Sequence, residues 1–238
     1  MSPRSSYDVI CGNDLLDALS PAVRDRFGLE TVALNPNQVM HEAGAFAEYV
    51  FFPTNGLISM IASVGNGLSV EVGMVGKEGM FNVSSILGDD RPSHGAMVQL
   101  PGSALRMKSA VLQREAQAEP ALLGLLLRYS QMILTTAAQT AACNRLHRLE
   151  QRCARWLLSA HDRAGVDTFP MTQEFLAMML GVRRPGVTIA AQAFEADGLI
   201  TYNHGTMTIV DRLGLEAASC ACYRFIQDEF ARLLGPRR

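Results

Sequence analysis

The chain has 238 residues, a formal net charge of −2 and a hydrophobic content of 48%. This is the composition of a globular protein with one large domain or two small ones, and the net charge alone indicates no nucleic-acid partner. The N-terminus lacks the apolar segment of a secretory signal peptide, and no apolar run reaches the length of a membrane span. Because the five cysteines are scattered and odd in number, we expect a reducing, cytoplasmic location and no membrane partner.

The N-terminal part changes from a helical to a strand-rich pattern. Residues 13–27 predict a short amphipathic helical element, interrupted at Ser20 and Pro21. From about residue 30 to 107, short apolar runs are separated by Gly, Pro and Asn, which indicates an antiparallel sandwich or barrel. The predicted strands cover residues 49–53, 57–63, 69–75, 95–100 and 104–107. The sequence Val-Gly-Asn-Gly at 64–67 predicts a hairpin turn.

A helical pattern begins at Lys108, and Pro120 is predicted to break it or to lie in the first turn of a long helix. In this helix a heptad-like stripe extends over about three heptads, and its neighbours are apolar as well. A helix that is apolar around so much of its circumference must bury two faces. We expect one face to pack on the β domain and the other to meet a second copy, unless the helix is buried within a monomer. The predicted dimer interface consists of Leu122, Leu125, Tyr129, Met132, Thr136 and Gln139.

A basic segment follows the long helix. The hinge to the C-terminal part is predicted near residues 143–146, with a second helix over 149–164. Residues 144–184 contain seven arginines and four acidic residues. A basic face on an otherwise acidic chain suits contacts with phosphate groups. A solvated helical face explains the same charges equally well.

Residues 172–210 have the pattern of two short helices and a hairpin. Thr172 is a predicted N-cap, and Gly181 permits a sharp turn. The second helix is predicted to begin near Arg183, with Pro185 in its first turn, where the missing N–H costs little. Two strand-like runs flank Asn-His-Gly at 203–205.

The second of these helices has two distinct faces. Its apolar face is formed by Val187, Ala191 and Phe194. Its polar face is formed by Arg184, Thr188, Gln192 and Glu195. Together with the hairpin, the pattern indicates a winged helix-turn-helix, a module that reads DNA.

The last segment predicts a single helix capped by Asp211 and running to about Leu234. Cys220 and Cys222 would then lie two residues apart on a helix and point to different faces. Cys143 and Cys153 are predicted core thiols. Because the histidines also lack metal-ligand spacing, we predict no metal site. The sequence contains no catalytic motif of the hydrolase, P-loop or dinucleotide-binding type, so we expect a protein that is not an enzyme.

With a β-roll, a long helix, a hinge and a winged helix-turn-helix in this order, the chain resembles the Crp/Fnr family of bacterial transcription regulators. The stretches that carry the resemblance are 152–158, 172–188 and 195–210, with further matches at 49–56, 75–81 and 91–93. The resemblance implies an α+β fold. Its parts would be an antiparallel, cyclic-nucleotide-binding-like β-roll over 1–108, a dimerisation helix over 109–144 and a winged helix-turn-helix over 145–238.

The resemblance also implies a homodimer that binds palindromic double-stranded DNA, with half-sites about 34 Å apart, and that acts with RNA polymerase. Arg184 matches the position of the family's base-reading arginine. Pro185 and Ile189 stand where other family members carry polar readers, so the preferred DNA sequence should differ from theirs. The predicted DNA-contacting residues are Thr172, Gln173, Arg183, Arg184, Thr188 and Gln192.

The effector contacts depart from the family pattern. Members that bind cyclic nucleotides use a Gly-Glu pair for the ribose and an Arg-Ser or Arg-Thr pair for the phosphate. Here Lys77 stands at the position of that Glu, and Pro92 at the position of that Arg. We therefore expect a ligand other than cyclic AMP or cyclic GMP, or no ligand. The candidate effector contacts, which exposed turn residues would explain as well, are Lys77, Glu78, Arg91 and Ser93.

Other cofactors are not expected. The iron–sulfur clusters of some family members need several N-terminal cysteines, and only Cys11 lies in that region. A haem held by His41 or His94 is not expected either. Two alternatives to the DNA-binding regulator stay open, namely a ligand-binding signalling module with vestigial DNA binding and a cyclic-nucleotide-responsive regulator.

Overall fold

The computed structural model describes residues 11–63, 65 and 69–235. Apart from Gly65, the turn predicted at 64–67 lies outside these residues. The N-terminal element consists of two short helices and a 3₁₀ turn, and its break at Ser20 is as predicted. Their bounds are α1 Asp14–Asp17, α2 Pro21–Arg24 and the 3₁₀ turn Asp25–Phe27.

A five-stranded antiparallel sheet follows, in which β2 pairs with β5 and the other strands are ordered β1-β5-β3-β4. Its strands are β1 Glu30–Leu34, β2 Val39–His41, β3 Tyr49–Ser63, β4 Ser69–Val75 and β5 Gly95–Lys108. The prediction of separate short strands was wrong for β3 and β5, since each joins two predicted runs. The register shifts around Asn55, and a Cβ at Gly102 would clash with that residue. Turn-forming residues therefore make bulges inside long strands here.

Three helices connect the sheet to the C-terminal part. They are α3 Ser109–Ala118, α4 Pro120–Leu146 and α5 Leu149–Ala164. Pro120 lies in the first turn of α4, as predicted. The predicted dimerisation helix is thus two helices, and the break after α4 falls at His147 and Arg148, later than the predicted hinge. Helix α4 is long and apolar enough to span a membrane, with a mean hydropathy of 1.3 over 18 of its residues. Core helices of soluble proteins share this property.

The C-terminal part is a winged helix-turn-helix. A three-stranded sheet, ordered β6-β8-β7, flanks the two helices. Thr172 caps the first of these helices by accepting a hydrogen bond from the Phe175 N–H at 3.1 Å, and Gly181 ends it in the left-handed conformation. The elements are β6 Thr168–Pro170, α6 Gln173–Leu180, α7 Arg184–Ala196, β7 Ile200–Asn203 and β8 Thr206–Ile209. The predicted α+β fold class is confirmed.

The chain ends in two helices, α8 Arg212–Ala218 and α9 Cys222–Leu234, so the prediction of one continuous helix was wrong. Asp211 caps α8 as predicted, accepting from the Gly214 N–H at 2.9 Å. At Ser219 the backbone becomes extended, and the Ser219 hydroxyl donates to the Glu216 carbonyl at 2.8 Å. A serine that satisfies a carbonyl of the last turn in this way competes with helix continuation.

Candidate nucleic-acid interface

Helix α7 presents one buried and one exposed face. Val187, Ala191 and Phe194 are buried, as the spacing predicts. On the opposite face Arg184 and Gln192 are exposed and Thr188 is half-buried. The polar residues predicted to contact DNA are therefore presented on one side of a helix that is anchored by its other side.

A hydrogen bond between side chains joins α6 to α7. The Thr188 hydroxyl lies 2.7 Å from Gln173 Oε1 and 3.2 Å from the Arg184 carbonyl oxygen, and it can donate to either. This contact fixes the two helices relative to each other, so Gln173 and Thr188 have a structural role besides any contact with DNA.

The arginines at the start of α7 are exposed. Arg183 is the N-cap residue. Arg184 lies 3.9 Å from Glu174, but the two side chains are 63% and 77% exposed. An ion pair with this geometry is worth about 0–1 kcal/mol. Arg184 can therefore leave Glu174 for a base edge at little cost.

Ile189 is the residue on this surface that the predicted DNA contacts omit. Its side chain is 63% exposed, one residue after Thr188. An exposed apolar side chain on a helix that enters the major groove suits the methyl group of thymine. The sequence could have indicated its exposure, because Ile189 does not share the helical spacing of the buried residues of α7.

The C-terminal sequence matches a known domain family. Residues 151–218, which run from α5 to α8, match the Crp-like helix-turn-helix domain. The chain therefore carries a Crp-like helix-turn-helix domain. We call residues 151–218 the Crp-like domain. A comparison with curated proteins gives no significant match.

Solved structures share the fold of most of the chain. FixK2 from Bradyrhizobium japonicum is 15% identical, with a TM-score of 0.70 over 81% of this chain and 98% of its own. The c-di-GMP responsive global regulator CLP of Xanthomonas campestris is 15% identical, with a TM-score of 0.65 over 80% of this chain and 99% of its own. A CRP/FNR-family transcriptional regulator from Thermus thermophilus is 20% identical, with a TM-score of 0.65 over 80% and 98%. The Crp/Fnr resemblance is thus confirmed, in sequence for the Crp-like domain and in fold for the chain.

The Crp-like domain is docked on the N-terminal sheet. The Trp156 indole N–H of α5 donates to Glu71 Oε1 of β4 at 2.8 Å. A Cβ added at Gly181, in the turn before α7, would lie 3.1 Å from Val70 Cγ2. Leu57 and Leu100 of the sheet belong to the same hydrophobic cluster as the core of the Crp-like domain. The two parts are therefore held together by apolar packing and by specific hydrogen bonds.

A buried ion pair reinforces this docking. Arg163 Nε of α5 donates to Glu78 Oε1 at 2.6 Å, and the two side chains are 10% and 5% exposed. Glu78 belongs to the loop after β4, so the pair joins the sheet to the Crp-like domain. The predictions assigned no role to Arg163. Its place in the basic segment was the available signal.

Glu71 is the centre of a second polar contact between the two parts. Its side chain is half-buried, and its carboxyl group binds Trp156 and the Ser59 hydroxyl, which also lies next to Gln99 Oε1. Burial raises the pKa of Glu71 to about 7, although these hydrogen bonds oppose the rise. A protonated Glu71 can donate to Ser59, which then donates to Gln99. The sequence could have indicated a special role for Glu71, because it is the one charged residue of strand β4.

The candidate effector residues do not share one set of contacts. Glu78 faces the Crp-like domain through Arg163. Arg91 is exposed and donates to the Gly44 carbonyl at 3.3 Å, and Ser93 lies 3.3 Å from His94 Nδ1. Lys77 is half-buried in the loop after β4. Their role as effector contacts stays a prediction.

Four residues of the predicted dimer interface are buried within the single chain, and the interface itself stays a prediction. Leu122, Leu125, Tyr129 and Met132 are only 1–6% exposed within the single chain. The Tyr129 hydroxyl donates to the Met80 carbonyl at 3.0 Å, and Met132 packs against Ile226 and Phe230 of α9. The alternative of a helix face buried within the monomer therefore explains these residues. Thr136 and Gln139 are half-buried on the same side.

The opposite face of α4 is exposed and largely apolar. Leu127 is 47% and Leu134 is 64% exposed. At spacings of four and three residues they belong to a row that we call the outer stripe, formed by Leu127, Gln131, Leu134, Ala138 and Ala141. This is the spacing of a helix that packs along another helix.

The break between α8 and α9 also changes the surroundings of the cysteines. Cys220 lies outside both helices, and Cys222 is the first residue of α9. Both thiols lie beside Cys143 and His147, with all four ligand atoms within 4.8 Å of one another. The prediction that Cys220 and Cys222 point apart was therefore wrong, because it assumed a continuous helix.

Proposed function

We propose that the protein is a homodimeric, sequence-specific DNA-binding transcription regulator of the cytoplasm. The observation that carries the proposal is the exposed polar face of α7, held by a buried apolar face within a Crp-like domain. With its N-terminal end directed at the major groove, α7 would place Arg184, Thr188 and Ile189 at base edges. RNA polymerase is the proposed protein partner.

The effector side of the proposal departs from the cyclic-nucleotide members of the family. We propose that the sheet domain responds to a different ligand or to none. Support comes from the separate contacts of Glu78 and Arg91. The Glu78 carboxylate is bound to Arg163 at 2.6 Å, whereas Arg91 is exposed and donates to the Gly44 carbonyl.

Replacement of Arg184 by alanine tests whether the exposed polar face of α7 contacts bases. If Arg184 binds a guanine, this change should cost about 1–3 kcal/mol at one base pair of each half-site and relax specificity there. Binding would be measured by fluorescence anisotropy on a palindrome selected from random DNA and on its single-base variants. The matched control is Arg224→Ala on α9, an arginine that is 77% exposed and lies outside the Crp-like domain.

Three outcomes decide the interpretation. Equal weakening on every DNA sequence would make Arg184 a phosphate contact instead of a base reader. Absence of any salt-sensitive, sequence-preferring binding by the unmodified protein would overturn the proposed function. A large gain in affinity on adding cyclic AMP or cyclic GMP would favour a cyclic-nucleotide-responsive regulator.

The outer stripe of α4 is the proposed dimer interface. Of the 18-residue apolar stretch of α4, only 28% is buried within the chain. Two copies of the stripe, with small residues at its C-terminal end, would cover each other's leucines at heptad spacing. The proposed dimer contact thus lies on the face opposite to the one predicted from the sequence.

Leu134→Glu is expected to dissociate the dimer. Each buried leucine contributes about 1.5–3 kcal/mol, so two lost leucines correspond to roughly 100-fold or more in the dissociation constant. Sedimentation velocity at several concentrations would measure the change. Leu213→Glu makes the same substitution at a site on α8 that is 76% exposed, and it should leave the dimer intact. If both variants stay dimeric, the outer stripe is not the interface.

A further inference from the structure

A cluster of soft metal ligands lies at the junction of α4 with the two C-terminal helices. Cys143 belongs to the last turn of α4, and His147 follows that helix directly. Cys220 and Cys222 come from the break between α8 and α9. Cys143, Cys220 and Cys222 are 0–4% exposed, and His147 is half-buried. Four side chains from two distant parts of the chain therefore converge on one point.

The distances suit a tetrahedral metal ion. Cys143 Sγ lies 3.5 Å from Cys220 Sγ, and Cys222 Sγ lies 3.5 Å from His147 Nδ1. For zinc bonds of about 2.3 Å to sulfur and 2.0 Å to nitrogen, the edges of the tetrahedron are about 3.8 Å between two sulfurs and about 3.5 Å between sulfur and nitrogen. The four ligand atoms already lie within 4.8 Å of one another, so small side-chain movements would complete the site.

We propose that Cys143, His147, Cys220 and Cys222 bind one zinc ion in a tetrahedral Cys₃His site. Thiolate and imidazole ligands in this number and geometry are those of structural zinc sites. On binding, three thiols lose their protons to the solvent and form three Zn–S bonds, and His147 contributes a lone pair of its neutral ring. No oxidant or reductant takes part.

The surroundings of the cluster support this charge state. Zn²⁺ with three thiolates and a neutral imidazole carries one net negative charge. The cationic side chain of Arg155 lies close enough to Cys143 to act on its thiol electrostatically. Arg155 is itself buried, and its Nε has no hydrogen-bond partner among the described residues. A buried cation beside the cluster would offset the negative charge of the complex.

Gln139 supplies a further contact. Its side-chain N–H donates to Cys222 Sγ at 3.0 Å. Hydrogen bonds of this kind orient metal ligands and tune the metal, and their loss typically costs about 10–100-fold in metal affinity. Gln139 was predicted to lie in a dimer interface, and it is instead part of the support of this site.

The location gives the metal a role in positioning the Crp-like domain. The site would fasten the end of α4, which precedes the hinge at His147 and Arg148, to the C-terminal helices. Zinc would therefore fix the hinge in one orientation. This consequence rests on the proposed DNA-binding function, whereas metal binding itself does not.

The test uses the full chain, purified under reducing conditions and freed of metal by a chelator. Titration with Co²⁺, followed by displacement with Zn²⁺, should give the intense ligand-field absorption of tetrahedral thiolate cobalt at one ion per chain. Gln139→Leu should weaken binding by about 10–100-fold, and Cys222→Ser and His147→Ala by more. Cys11→Ser, which removes a thiol outside the cluster, should bind as the unmodified chain does.

Circular dichroism separates loss of the site from loss of the fold. His147→Ala changes a half-buried residue between two helices, so the variant should keep its helix content while losing metal affinity. The proposal is overturned if the reduced chain takes up no Co²⁺ or Zn²⁺, if Cys222→Ser binds as well as the unmodified chain, or if the chain only forms a Cys143–Cys220 disulfide. Because these measurements contain no DNA, they can fail or succeed independently of the proposed function.

Discussion

Arg163→Met is expected to lower the free energy of unfolding by about 3–5 kcal/mol, because it leaves the Glu78 carboxylate buried without its cation. The two groups are 2.6 Å apart and at most 10% exposed. Chemical denaturation followed by circular dichroism would measure the loss. Since the pair joins the sheet to the Crp-like domain, the docking between these two parts should weaken first.

Two further variants make the test specific. Arg232→Met breaks an ion pair of the same length, 2.6 Å, in which the arginine is 61% exposed, and it should cost far less stability because solvent screens the pair. The double variant Arg163→Met with Glu78→Gln removes both buried charges and should recover much of the lost stability. A loss for Arg163→Met no larger than that for Arg232→Met would contradict this account.

The second large effect is a dependence of stability on pH that Glu71 controls. Burial raises the pKa of Glu71 from its ordinary value of 4.5 to about 7 in the folded chain. Between these values the folded state holds a proton that the unfolded state has lost, so stability falls as pH rises. The stabilisation by the protonated Glu71 is complete below about pH 4.5 and is lost above about pH 7. At about 1.4 kcal/mol per pKa unit, it amounts to roughly 3 kcal/mol.

Glu71→Gln should remove this dependence, because the amide is neutral at every pH. It can still accept from Trp156 and donate to Ser59, as the protonated acid does. Urea denaturation from pH 4.5 to 8 should therefore show a falling stability for the unmodified chain and a flatter profile for Glu71→Gln. Glu48→Gln changes a glutamate of the same domain that is 56% exposed, and it should keep the slope. Equal slopes for all three proteins would show that Glu71 is ionised throughout.

The sequence predicts the Crp-like domain better than the rest of the molecule. The bounds of α5 agree with the prediction, as do the N-cap at Thr172 and the two faces of α7. These features depend on residues that are close in sequence: the helix cap, the spacing of apolar residues along a helix, and the preference of glycine for the left-handed conformation at a helix end. The family match covers the same region.

The features that the sequence did not predict depend on tertiary contacts. Helix α4 has apolar residues on both faces, so spacing alone does not show which face its own chain covers. The end of α8 is a local exception: the Ser219 hydroxyl donates to the Glu216 carbonyl there, and the apolar spacing does not reveal it. Glu71 and Trp156 are far apart in sequence and meet only when the Crp-like domain docks on the sheet.

Helix α4 contacts the sheet domain at Tyr129 and the C-terminal helices at Met132 and Cys143, so its length determines where these parts of the chain meet. Each added residue would advance the helix by about 1.5 Å and turn everything beyond it by about 100°. An insertion between Tyr129 and Cys143 would therefore carry Cys143 away from Cys220 and turn the Crp-like domain away from the sheet. Insertions or deletions of about a whole number of helical turns keep the direction of the side chains. They come closest to preserving the contact of Cys143 with Cys220 and the docking of the Crp-like domain on the sheet. Related chains should thus vary in the loops of the sheet far more readily than in the number of residues in α4.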